Sequence, residues 1–187
     1  MGINVRIAGV LLALAVEAGA AQDLERQAAE AVAAHQLVEA RNLYRQLAEQ
    51  DRENTDYQIW VGRLSSWLSD YATANATFDQ VLAAEPGNVE ALIGKAYVAM
   101  WQEQFAEAQL LLGRAEQASP QNTEVQLALA RNHHFQGQDK EATAHLDRVL
   151  ALDPGSAEAQ DLKRRLAPEP RRLGFFAKLK RILTGRS

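Results

Sequence analysis

The sequence has no cysteine among its 187 residues. That excludes disulfides, thiolate metal sites, a cysteine nucleophile and a cysteine-linked lipid anchor. Proline is scarce, at 5 residues, and glycine stands at 11, so breakers leave most of the chain free to form helices. No glycine-rich phosphate loop is present, because Gly94 and Gly113 stand singly in helical stretches. Histidine is limited to His35, His133, His134 and His145, and no HExxH motif occurs. His133 and His134 are adjacent on one helix and point about 100° apart, a poor arrangement for sharing a metal. Ser65, Ser66 and Ser69 lack a nearby base, and the carboxylates fall on helix faces where charge is normally just solvated. The expectation is a protein without catalytic residues, metal or cofactor.

What is abundant is Ala, Leu, Glu and Gln, residues that lose little freedom in a helix. The hydrophobic share of 47% and charged share of 24% fit a globular protein. The net charge of −4 is unevenly spread. Arg171, Arg172, Lys178, Lys180, Arg181 and Arg186 give residues 171–187 a charge of +6, which leaves −10 for residues 1–170. An acidic body argues against nucleic acid as a partner.

Residues 1–20 read MGINVRIAGVLLALAVEAGA. Arg6 provides a basic start, Ile7 to Val16 an apolar stretch, and Ala18-Gly19-Ala20 small residues for cleavage. This is the layout of a secretory signal peptide, with cleavage expected after Ala20 or Ala21. The apolar stretch falls short of the roughly 20 residues of a membrane span; the alternatives are a cytosolic N-terminal helix or, if tilted, an uncleaved anchor. A periplasmic location in a bacterium is the expectation.

Self-similarity comes next. Pro86, Pro120 and Pro154 recur every 34 residues, each followed by turn residues. Ala40, Ala74, Ala108 and Ala142 keep the same period, as do Ala28, Gly62, Ala96 and Ala130 twelve residues earlier. Small residues at both places allow two antiparallel helices to approach closely. Leu37 and Tyr44, Tyr71 and Phe78, Phe105 and Leu112, and finally Leu146 fill the space beside them.

This period and these registers resemble the tetratricopeptide repeat family. The resemblance implies an all-α, right-handed solenoid of four helix-turn-helix repeats, at 21–54, 55–88, 89–122 and 123–156, with a capping helix over 157–166. Departures are Arg52 in place of the first proline, Asp139 in place of a large apolar residue, and Gln58 and Gln126 where the family prefers Trp or Leu. A Pro-Glu-Pro linker over 167–170 then separates a basic tail, 171–187.

In this family the first helices of the repeats line a concave groove that takes a protein or peptide. By register the groove rows are Glu25, Ile59, Ile93 and Leu127; then Arg63, Tyr97 and Arg131; then Ser66, Met100 and His134. The expected partner-binding set is Arg63, Ile93, Tyr97, Met100, Trp101, Arg131 and His134. Arg and Tyr are frequent binding anchors. The alternative for Arg63 and Arg131 is pairing with acids of the adjacent repeat. Trp67, Trp101 and Phe135 share one repeat position, which resembles periplasmic repeat domains of bacterial envelope and exopolysaccharide (biofilm) export proteins. An aromatic ladder also suits stacking on sugar rings, so a polysaccharide partner stands beside inter-repeat packing. The Lys and Asn residues with which some members clamp a terminal carboxylate are missing.

Placed on a helix, Phe175, Phe176, Leu179, Ile182 and Leu183 of the tail share one face, flanked by Lys178, Lys180 and Arg181. Such a segment suits an anionic membrane surface. It equally suits docking on a partner protein, or on the acidic body of its own or another copy.

Overall fold

The computed structural model describes residues 19–167. Residues 1–18 of the expected signal segment and the tail, 171–187, lie outside the described residues, whereas Gly19 and Ala20 begin the first helix. Among the described residues there are nine helices and no strand. Helix α1 covers residues 19–33, followed by α2 (Leu37–Gln50), α3 (Thr55–Trp67), α4 (Tyr71–Ala84) and α5 (Val89–Trp101). The array continues with α6 (Phe105–Ala118), α7 (Thr123–Phe135), α8 (Asp139–Leu152) and α9 (Ala157–Leu166). Helix α1 packs on α2 through Ala28 and Ala31, each helix from α2 on packs on the next, and α3, α5 and α7 also pack side by side. The result is an all-α solenoid.

The 34-residue period has a physical cause at the ends of the odd helices. The odd helices begin at Asn54, Asn88, Asn122 and Ser156, whose side chains accept hydrogen bonds from backbone N–H groups of the first turn. These caps satisfy donors that a helix start leaves without partners. The odd helices end in left-handed residues at His35, Ser69, Glu103 and Gly137, with φ of 57°, 62°, 59° and 71°. The residue after each donates back across the turn to Ala31, Ser65, Ala99 and His133. This is a Schellman-type stop, normally built on glycine. Only the last of the four turns has one.

The two glutamines that depart from the family pattern are buried and employed. Gln58 donates to the carbonyl of Arg52 and Gln126 to that of Pro120, at 3.1 and 3.3 Å. Gln160 does the same to Pro154 at 2.8 Å, and Arg114 reaches Pro86 in the remaining turn. Each inter-repeat turn is thus tied to a helix that it connects or to one beside it. Gln126 also meets Glu116 and His145. Burial pushes the His145 imidazole below its usual range, with Arg148 adding to the effect.

The small residues sit at the helix crossings, as Ala28, Ala40, Ala74, Ala96, Ala108, Ala130 and Ala142 are wholly buried. Phe78 is also wholly buried, with its ring wedged between Gly62 and Gly94. Gly113 differs, because a Cβ there would meet nothing within 4 Å. Gly113→Ala is therefore expected to raise the unfolding free energy by about 1 kcal/mol, the helix-propensity difference. Urea denaturation reads it directly, and an unchanged midpoint would count against that account of the site.

Candidate functional site

The odd helices turn one face to a shared concave cleft of about 460 Å³. Arg63, Ser66 and Trp67 come from α3, and Ile93, Tyr97 and Trp101 from α5. Glu124, Leu127 and Arg131 come from α7, and Asp153, Ser156 and Glu158 close the C-terminal end. Helical spacing explains the set: residues four apart stack on one face, as in Ile93, Tyr97, Trp101 and in Leu127, Arg131.

Both arginines are engaged in the groove wall. Arg63 reaches Glu90 of α5 at 3.2 Å and Glu124 of α7 at 3.5 Å. Arg131 donates to the Tyr97 hydroxyl at 2.8 Å, lies over its ring, and pairs with Glu158 of α9. Burial raises the Tyr97 hydroxyl above its ordinary range, against the pull of Arg131. Tyr97 therefore stays protonated at neutral pH. Its oxygen accepts from Arg131, and its own hydrogen can be donated into the cleft.

The aromatic row is both packed and exposed. Trp67, Trp101 and Phe135 keep 47%, 41% and 54% of their surface accessible. Trp101 stacks on Tyr71 and on Tyr97 at centroid distances of 6.3 and 6.0 Å. Trp67 meets Trp60 edge-on, and Phe135 tilts against Phe105.

Of the residues expected from sequence, the cleft brings together Arg63, Ile93, Tyr97, Trp101 and Arg131. Ile93 forms its floor and is itself buried. Met100 does not belong there: only 3% of it is exposed, and it packs in the core with Ala108 of α6 and Leu129 of α7. His134 lies outside the cleft lining and faces Asp139 at the start of α8, at 3.1 Å. The tail residues Arg171, Arg172, Phe175, Phe176, Lys178, Leu179, Lys180, Arg181, Ile182 and Leu183 lie outside the described residues.

The alternative of Arg63 and Arg131 pairing with acids of the adjacent repeat is what the structure shows, though the sequence does not mark which acids. Asp56, Glu90, Glu124 and Glu158 hold the second position of α3, α5, α7 and α9, 34 residues apart, and all four are exposed. An acid in a first turn is favoured by the helix dipole, so the spacing alone does not mark it as functional. Among the described residues, no group of three or more His, Cys, Asp or Glu is placed to hold a metal ion, and no helix is long and apolar enough to cross a membrane.

A tetratricopeptide repeat family model matches residues 68–115 and 99–166, together more than half of the chain. The chain belongs to the tetratricopeptide repeat family. Solved structures agree on the fold. The thermophilic tetratricopeptide repeat protein TTC0263 of Thermus thermophilus is 18% identical, with a TM-score of 0.71 over 78% of this chain and 80% of that one. MamA RS-1, as the ArsTM double mutant, is 18% identical, with a TM-score of 0.59 over 88% of this chain and 95% of that one. The first such domain of Spaghetti (RPAP3), bound to the HSP90 peptide SRMEEVD, is 20% identical, with a TM-score of 0.57 over 63% and 93%. No curated relative matches the sequence. Tetratricopeptide arrays generally act as interaction scaffolds, and this groove has the corresponding form.

Proposed function

We propose that this chain is a non-catalytic scaffold that holds a protein or peptide partner in its concave groove. We further propose that it works in the bacterial periplasm, in envelope or exopolysaccharide (biofilm) assembly. The observation that carries the binding reading is the cleft itself: an apolar floor, half-exposed tryptophans on one side, and a tyrosine hydroxyl with a hydrogen to donate. Apolar clefts with a few placed polar groups are the usual form of a recognition site. The periplasmic part rests on the sequence pattern of residues 1–20. The assembly setting rests on the Trp67, Trp101 and Phe135 resemblance.

The partner is a peptide with an apolar face and basic flanks. Arg63 and Arg131 are already neutralised by groove acids, so an incoming carboxylate gains little from them. That differs in chemistry from an acidic peptide such as the one bound to the RPAP3 domain. A polysaccharide is the weaker reading, because Tyr71 and Tyr97 occupy ring-face area of Trp101 that a sugar would use.

The test is photo-crosslinking in the producing bacterium, with a photoreactive residue at Leu127 in the cleft or at Leu110 on α6, which is 73% exposed. The expected result is one discrete crosslinked protein from Leu127 in the periplasmic fraction and none from Leu110. Equal patterns from both positions would remove the groove reading. A discrete product found only in the cytosol would remove the location.

A further inference from the structure

We propose that the cleft is occupied, in the free protein, by this chain's own basic segment, residues 171–187. The inference rests on the groove reading above and names a resident occupant for it.

Three observations support it. The first is charge. Four exposed acids, Glu90, Glu124, Asp153 and Glu158, stand at the cleft against two arginines, so pairing with Arg63 and Arg131 leaves a net negative charge. Residues 171–187 carry six basic side chains and no acid. The second is apolar matching. Phe175, Leu179 and Ile182 fall on one face of a helix drawn through the segment. The cleft offers Ile93, Leu127 and the exposed parts of Trp67 and Trp101 to such a face.

The third is reach. Helix α9 ends at Leu166, eight residues beyond Glu158, so the segment departs about 12 Å along α9 from the acid that Arg131 holds. The eight residues 167–174 span at most about 27 Å. Packed helices lie about 8–10 Å apart, so the α7 end of the cleft is within range. Thirteen residues in a helix are about 20 Å long, the length of the two steps from α7 to α3. So short a tether gives the segment a millimolar effective concentration at the cleft. That favours docking within one molecule over docking between copies.

The absence of cysteine allows a direct test in the full chain. Thr184→Cys creates a single thiol, which carries a nitroxide label. Thr184 lies away from the apolar face, so the label leaves that face intact. Proton–nitrogen spectra then report which groups come near it. The expected result is loss of more than half the intensity of the indole N–H signals of Trp67 and Trp101, and of the Leu127 amide, restored when the nitroxide is reduced. The Leu110 amide stays unaffected, and tenfold dilution changes nothing. Charge reversal in the segment, Lys178→Glu with Lys180→Glu and Arg181→Glu, restores the Trp101 signal at least twofold while leaving the groove's own ion pairs in place.

Unbroadened groove signals would overturn the proposal. Broadening that arises mainly when labelled and isotope-enriched chains are mixed would overturn it too, by placing a second copy's segment in the cleft. A third contrary outcome is transfer of the segment to vesicles containing phosphatidylglycerol with no groove signal affected before their addition. A chain that crosslinks a partner at Leu127 without these effects retains the scaffold reading and loses this one.

Discussion

Phe78→Ala is expected to lower the unfolding free energy by about 3–5 kcal/mol, read from urea or thermal denaturation. The ring is wholly buried in α4 and sits between two helices that both present glycine to it. A Cβ at Gly62 would lie 2.7 Å from the ring, and one at Gly94 would lie 2.4 Å from it. The two glycines are the complement of the ring. They cost helix propensity of about 1 kcal/mol each and recover it by letting α3 and α5 close on Phe78. Gly94→Ala is accordingly destabilising by about 1–3 kcal/mol despite the gain in propensity. In a Phe78→Leu background the same change loses most of its penalty, because the clashing ring atoms are gone. Strictly additive costs in this cycle would show that the glycine and the ring are not coupled.

Removal of α9 is the second large effect. A chain stopped after Ser156 loses Ala159 and Leu162, which pack with Ala130, Leu146 and Val149. It also loses Leu166 from the edge of that cluster and Glu158 from Arg131. Two leucines leaving an apolar contact correspond to about 3–6 kcal/mol. In a domain of this size that lowers the melting temperature by about 10 °C. The comparison is with a chain stopped after Pro170, so that loss of the tail is common to both. Melting within a degree of each other would mean that α9 is not a cap. Newly exposed Leu146 and Val149 are also expected to make the shorter chain self-associate, which sedimentation detects.

The repeat was legible because it is written in residues with a single structural use. A buried alanine at a helix crossing and a proline after a helix leave few alternatives. The left-handed turn residues were not legible. His35, Ser69 and Glu103 carry no marker of positive φ, although their fourth equivalent is Gly137. Their conformation is imposed by the packing of the helices that they join, at a cost of about 1 kcal/mol or more each. Groove placement was legible to within part of a helical turn. Tyr97 and Trp101 fall where the period puts them, whereas Met100, one residue away, is rotated into the core. Glu124 and Glu158 were hidden by their ordinary place in a first helical turn, and only the structure joins them to Arg63 and Arg131.

Arg63 has one further consequence. It holds acids on the next helix of the groove and on the one beyond. A link across three successive units adds a small polar contribution, about 1 kcal/mol or less, to the apolar packing that sets their relative angle. A basic ligand that draws Glu90 and Glu124 toward itself releases that link. The same acids therefore serve two partners in turn, an arginine of the array when the groove is empty and a cation of the ligand when it is filled.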